Sequence, residues 1–572
     1  MRGESDLGYI CDMFPKSRTA PSKRALLLGL IPLFFFSAGI VGAYIWANHV
    51  RVENSTAAAD RIINTPDSQL PDDDSAPSTT APSTAAQEVG MTPGLPFKDP
   101  ADLNTQTPAH ITLNLLAENQ NFSISGKSIW GDGYDGQFVG PTLHVVPGEY
   151  VTLTLTNKLG SLTNLHFHGL HLSPSGNQDN PYINVDPSHS FTYELKIPKN
   201  QPIGTFWYHD HDMCAGDETM NMSGSGSMNM NMSAQIKWPK CADVESQIFA
   251  GLSGTIIVGD DRELLPAQYR NITAHTIVLK DLQIDSNGDI VENTDQESIN
   301  SNNPSVRLVN GELQPVLAMK PGETQLWRLA NEGADIFYNL NMPGYSFTII
   351  GQDGYPSTKV TTAQNLLLPP GKRYDVLVTA PEKPAQAWLQ TLAFKEGEDL
   401  YPQVNLMQLR VAGAPVKALS NSEVKVTALP GSLSSENLAS ATIAQHRTVT
   451  LSETADGNTM FINGNQFDRN KPAFATPAKV GTVEEWTILN TTKEIHPFHT
   501  HADHFQVMSI NGVAQPYIGE QDEVPVPAES HGVPGKAVIR IHFTDFTGQL
   551  MFHCHIAAHE DAGMMSFINV VK

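Results

Sequence analysis

Ten of the chain's twenty histidines fall in four short clusters: His166-Phe-His168, His209-Asp-His211, His496-Pro-Phe-His499-Thr-His501 and His553-Cys554-His555-Ile-Ala-Ala-His559. A lone histidine is ordinarily a surface or satisfied core residue, but imidazole is also the commonest metal ligand, and this pattern is metal-like. In a β-strand, residues i and i+2 share a face, so each His-x-His offers two imidazoles to one side. Four such pairs can converge on one multinuclear centre. Cys554 lies between His553 and His555, so its sulfur faces the other way, and one strand touches two metal sites. On the Cys face, His496 stands at an odd offset from His499, while His559 and Met564 follow Cys554 by five and ten residues. A His₂Cys set with a weak axial Met is the blue-copper electron-transfer site.

The elements that must position these residues read as strands. Runs such as YVTLTLTN, RYDVLVTA and AVIRIHF alternate apolar and polar residues between Gly, Pro and Asn clusters, the signature of an all-β sandwich or barrel. A repeat is visible: PGEYVTLTLTN ends at Asn157, PGETQLWRLAN at Asn331 and VGTVEEWTILN at Asn490. At nine and eleven residues beyond each Asn stand His166 and His168, Leu340 and Met342, and His499 and His501. The middle copy therefore reads as a spacer without a metal site. With 572 residues, too many for one core, these repeats place sandwich domains at 107–262, 263–415 and 440–572, with a linker at 416–439.

The N-terminus is different. Residues 25–47 carry no charge and are long enough to span a bilayer, as a transmembrane anchor or, in a shorter form, as a signal peptide. The basic segment 1–24 would stay cytoplasmic, which exports everything beyond the span to the periplasm or cell envelope. Residues 48–106 form a Ser/Thr/Pro-rich linker. The chain holds 36 Lys and Arg against 60 Asp and Glu, and the first 51 residues contain 6 and 3 of these. The remainder of the chain thus carries 30 against 57, a net −27 that excludes a nucleic-acid partner and attracts cations.

A loop at 212–246 is rich in methionine: Met213, Met220, Met222, Met228, Met230 and Met232, diluted by Gly, Ser and Asn. Thioethers are soft ligands that select Cu(I). Cys214 and Cys241 bracket the stretch, either as a disulfide or as further Cu(I) ligands.

The segments HFHG, GTFWYHDH, HPFHTH and HCHIAAHEDAGMM resemble those of three-domain multicopper oxidases, the family of laccases, ferroxidases and cuprous oxidases, and the likeness runs over most of 107–572. The resemblance implies three cupredoxin-like Greek-key sandwiches and four copper ions. Type 1 copper would be held by His496, Cys554, His559 and Met564, type 2 by His166 and His499, and the type 3 pair by His168, His209, His211, His501, His553 and His555. It implies an enzyme that passes electrons from a reductant to O₂, with Glu560 and, more weakly, Asp179 as proton-relaying carboxylates. The acidic balance and the Met loop point to Cu(I) or Fe(II) as the reductant. A laccase-like phenol oxidase and a copper-sequestering resistance protein are the alternatives. Cuprous oxidases carry their Met-rich insert in a later domain, so this loop reads as capturing copper more than delivering electrons.

Overall fold

A computed structural model describes residues 90–211, 244–284, 290, 305–397, 400–420, 424–428, 432–433 and 436–572. The apolar run at 25–47, the linker up to residue 89 and the methionines and cysteines of the 212–246 loop lie outside them. Among the described residues no helix is long and apolar enough to cross a membrane.

The chain forms three cupredoxin-like Greek-key β-sandwiches: the alternating runs predict the all-β architecture, and the resemblance implies the Greek-key type. The first packs a four-stranded sheet against a three-stranded one, the middle pairs sheets of five and six strands, and the last pairs sheets of six and five. Each sandwich repeats one parallel pairing. His110–Ile124 runs beside Tyr150–Asn157, Ala274–Leu282 beside Thr324–Asn331, and Ile443–Glu453 beside Thr482–Asn490. Parallel neighbours cannot be joined by a tight hairpin, so each pairing forces a crossover within the sandwich.

Residues 90–106, at the end of the expected linker, lie against the first two sandwiches. Their apolar side chains give them something to bury. Met91 joins the core, the Phe97 amide donates to the Val316 carbonyl at 2.9 Å, and the Leu103 amide donates to the Thr142 carbonyl at 2.8 Å.

The repeated asparagine has a structural cause. Asn157, Asn331 and Asn490 each end the second strand of the parallel pair, and all three are fully buried. In each, Oδ1 accepts the amide two residues on, at Leu159, Gly333 and Thr492. Each Nδ2 donates to two carbonyls: Ser161 and Val185, Ile336 and Leu368, Glu494 and Val526. The side chain thereby fixes the turn leaving the strand, and the residues at plus nine and plus eleven arrive at equivalent places. In the middle sandwich these are Leu340 and Met342, both buried in the apolar core.

Thr324–Asn331 is buried along its whole length and does not alternate as Tyr150–Asn157 does. Its second face is covered by Leu265, Tyr269, Ile272 and Val424, and there Arg328 pairs with Asp261 at 2.5 Å.

Replacing Asn331 by Ala strands one amide and two carbonyls in the interior, each costing about 1–3 kcal/mol. Asn331→Ala is expected to lower the denaturation midpoint without altering copper content, whereas Asn490→Ala lowers both. Chemical denaturation with metal analysis of the two variants checks this.

Candidate metal centre

The strand Gly548–Cys554 and the strand His496–Thr500 lie antiparallel, with His499 opposite His553 and Phe498 opposite Cys554. Directly opposed residues share a face, so His499 and His553 point together and Cys554 points away from them. From the first sandwich, His209 ends the strand Gly204–His209 and exchanges backbone hydrogen bonds with His166. Four of the histidines, His168, His211, His501 and His555, stand just beyond regular strand, where the ladder's alternation no longer aims them.

The clusters regroup in space. Three sets bring one ligand atom from each residue within 4.8 Å: His166, His168 and His499; His168, His209 and His555; and His211, His501 and His553. Except for His166 and His168, the two members of each sequence pair go to different triads. His209 and His211 part in this way, as do His499 and His501, and His553 and His555. The rings interleave tightly: His166 stacks on His501 and His168 on His499, each at 3.9 Å between centroids. Nε2 of His501 and of His553 are 3.1 Å apart, and Nδ1 of His168 is 3.1 Å from Nε2 of His555.

A fourth set lies on the opposite face. Nδ1 of His496 and Nδ1 of His559 are 3.2 Å apart and stand 3.5 and 3.7 Å from Cys554 Sγ. His559 comes from the short helix Ala557–Asp561, and Met564, beyond the helix, is fully buried.

The chemistry of these donors fits a metal. Buried Nε2 atoms of His166, His209 and His499 have no hydrogen-bond partner among the described residues. Burial holds eight of the imidazoles in their neutral, ligating form. His168, His209, His496, His499 and His501 lie well below the usual histidine range, His211 is brought down to about 4, and His555 and His559 to about 3. Burial also pushes the Cys554 thiol well up, with the carboxylates of Glu396, Glu494 and Glu560 adding to it, so a thiolate there needs a cation beside it.

The outer ring nitrogens are fixed, as metal-bound histidines require. Nδ1 of His166 faces Asp179 Oδ1 at 2.9 Å, and Nδ1 of His499 faces the Asp522 carbonyl at 2.8 Å. Nδ1 of His209 faces the Asp210 carbonyl at 2.6 Å, and Nε2 of His496 faces Thr492 Oγ1 at 2.6 Å. Asp179 is thus buried against a histidine, not a surface charge. Glu560 is buried too, with Oε1 3.2 Å from His211 Nε2 and Oε2 3.0 Å from His553 Nδ1. Burial alone would raise its carboxyl, yet His211 and His553 bring it down to about 2.

Three residues of this region were not anticipated. Glu494 Oε2 lies 3.4 Å from His559 Nε2, on the side away from Cys554. Asp522 lies 3.3 Å from His168 Nε2. Asp561 accepts from the amides of Val244 and Glu245 at 3.1 and 2.9 Å, so the residues that resume after the Met-rich stretch are bonded to the helix bearing His559.

Three family models described as multicopper oxidase match the chain, at residues 117–234, 273–414 and 440–572, together more than half its length. The chain belongs to the multicopper oxidase family. It is therefore a copper-dependent oxidoreductase that uses O₂. The multicopper oxidase mco of Staphylococcus aureus is 28% identical over 450 residues, covering 77% of this chain and 84% of the relative. A laccase of Bacillus subtilis is 25% identical over 526 residues, covering 80% and 93%. Among solved structures, the multicopper oxidase from Campylobacter jejuni, described as a metallo-oxidase, matches with a TM-score of 0.67 at 23% identity, covering 84% of this chain and 96% of that one.

The depressed histidines set a pH window for this multicopper oxidase. Protons begin to compete for an imidazole only as pH falls to its metal-free value, which for His211 is about 4, and bound copper carries that competition lower still. Copper retained after dialysis against a chelator is expected to be flat from pH 7 to about 5 and to fall only below about pH 4. A loss beginning near 6.5, where exposed histidines titrate, contradicts this.

Proposed function

We propose that this oxidase removes single electrons from a small cationic reductant, Cu(I) or Fe(II), and couples four such oxidations to reduction of O₂, with four protons, to two waters. The observation that carries the reading is the end of the strand Gly548–Cys554: Cys554 joins the set with His496 and His559, while His553 on the strand's other face and His555 just beyond its end join two of the histidine triads. In this reading His496, Cys554, His559 and Met564 hold a type 1 copper, and His166 and His499 a type 2 copper. His168, His209, His501, His211, His553 and His555 hold a type 3 pair, four coppers in all. Copper in these sets supplies reversible one-electron chemistry and the capacity to bind and reduce O₂.

The chain's residues do the rest. His559 is the ligand nearest the surface of its set, 6% exposed, and Glu494, 23% exposed, stands at its outer nitrogen. A carboxylate there attracts and holds a cation by its charge, whereas to a neutral phenol it offers only a hydrogen-bond acceptor. Cys554 is bonded through the backbone to both His553 and His555, a short covalent path between the two faces. Glu560, in contact with His211 and His553, is placed to take up and pass on protons, and Asp179 holds His166 in one tautomer. The sandwiches are taken as 107–262, 263–415 and 440–572, and the basic flank and apolar run before them support export to the cell envelope. The methionine-rich stretch, which leads from His211 to the helix bonded to Asp561, favours Cu(I) among cationic reductants.

Steady-state O₂ uptake by the copper-loaded protein with Cu(I), Fe(II) and a phenol is expected to give the highest kcat/KM with the metal ions. Glu494→Gln is expected to raise KM for the metal ions about tenfold, the equivalent of about 1.4 kcal/mol, and to change KM for a phenol by less, since the amide keeps a hydrogen-bond acceptor but not the charge. An unchanged KM for both ions removes Glu494 from substrate binding. Copper binding without O₂ uptake on any of the three substrates returns the protein to sequestration.

Glu560→Gln is expected to keep the visible thiolate band and to slow reoxidation by O₂ by about 10²-fold or more, measured by stopped flow after anaerobic reduction.

A further inference from the structure

We propose that the middle sandwich, which contributes none of the ten clustered histidines, is nevertheless part of the histidine centre, with Arg373 positioning His168 and His499 by way of Asp522. The proposal rests on the assignment of these histidines to copper.

Arg373 opens the strand Arg373–Thr379 of the middle sandwich and is fully buried. Its guanidinium meets all three sandwiches. Nη1 and Nη2 donate to the two oxygens of Asp522 in the last sandwich at 2.9 and 2.6 Å, a two-pronged pair. Nε donates to the Thr205 carbonyl of the first at 3.2 Å, and Nη1 also donates to the Gly371 carbonyl of its own turn at 2.9 Å.

Asp522 carries the grip to the histidines. Oδ1 stands 3.3 Å from His168 Nε2, and the Asp522 carbonyl accepts from His499 Nδ1 at 2.8 Å and from the Thr500 amide at 3.2 Å. His168 and His499 come from different sandwiches, yet their rings stack at 3.9 Å with 16° between planes. One residue thus contacts the outer nitrogen of both, and Arg373 determines where that residue sits. The flanks of Asp522 are braced as well. Lys372 Nζ bonds Asp353 Oδ2 at 2.7 Å, Gln521 Oε1 at 3.3 Å and the Glu523 carbonyl at 3.2 Å. In the same turn Gly371 has φ +89°, and a Cβ there would stand 3.1 Å from the His555 ring, so the middle sandwich also abuts a third histidine.

Arginine is the residue suited to this place. Its planar fork matches a carboxylate with two parallel bonds and leaves Nε for a third direction, which an ammonium cannot reproduce. A fork that only stabilised the fold would lower thermal stability and leave the histidines as they are. A fork that positions them changes the non-blue copper while the Cys554 set, on the opposite face, keeps its spectrum.

The test uses the full-length copper-loaded protein and reads copper per chain, the visible thiolate band and the electron paramagnetic resonance spectrum of the non-blue copper. In Arg373→Gln the thiolate band is expected at wild-type intensity, with at least a twofold loss of the remaining copper. In Arg373→Lys, which keeps the charge but not the fork, the band is again retained while the non-blue hyperfine pattern shifts. Arg328→Lys is the control, because Arg328 is a buried arginine of the same sandwich whose carboxylate partner, Asp261, touches none of the histidines among the described residues. It is expected to lower the melting temperature and leave the non-blue spectrum unchanged.

Full copper with a wild-type spectrum in both Arg373 variants overturns the proposal. So does loss of the thiolate band together with the other copper in Arg373→Lys, or a spectral change of equal size in Arg328→Lys, since each marks a general effect on stability. Wild-type protein lacking a non-blue signal would instead overturn the copper assignment on which this rests.

Discussion

Ten imidazoles and one thiol are buried together, and the rest of the structure answers to the cost of putting them there. Burial strips these groups of water, and the clustering of their ring nitrogens makes protonation of any one unfavourable for its neighbours. Left without a cation, His166, His209 and His499 each keep a nitrogen that bonds to nothing among the described residues. Polar groups so placed are destabilising unless something satisfies them. In the proposed assignment copper would do so, and binding it would turn a folding liability into a tie between the first and last sandwiches.

Holding such a centre is a problem of direction more than of distance. A strand alternates its side chains, and the strand Gly548–Cys554 uses that alternation to place the His553 imidazole and the Cys554 sulfur on opposite faces, with His555 following just beyond its end. Alternation cannot supply three converging triads, however, because each set draws on both outer sandwiches. Several ligands therefore sit where strands end and the backbone is free to turn. The aim is then set by what each outer nitrogen meets: a carboxylate for His166, backbone carbonyls for His209 and His499, a hydroxyl for His496.

The features legible in the sequence obey this division. His-x-His spacing, the embedded Cys554 and the Asn-to-His register are local patterns, and each corresponds to a local physical rule: strand period, opposed faces, a buried amide that fixes a turn. The three-sandwich architecture arises from the same periodicities. Asp179 and Glu560 are readable only as carboxylates near ligands, and their burial against His166, His211 and His553 is a property of the fold. Asp522, Arg373 and Glu494 are not readable as site residues. Arg373 and Asp522 are 149 residues apart, and nothing in RYDVLVTA or QDEVPV marks either as the other's partner. Glu494 gains its meaning from His559, which reaches it from another element.

The middle sandwich shows how a repeat gives up one role and keeps another. At the positions where its sisters carry histidines it carries Leu340 and Met342, which complete an apolar core and could not have been exchanged for ligands without a facing set to complete a triad. Its Asn331 turn survives because the amide's hydrogen bonds are needed by any copy of the fold, with metal or without. Freed from ligation, its edge is available for contact, and the Gly371–Arg373 turn occupies the place where the outer sandwiches meet. A planar cation suits that place. It satisfies a carboxylate from one sandwich and a carbonyl from the other without competing for copper, since a guanidinium has no lone pair to offer a metal.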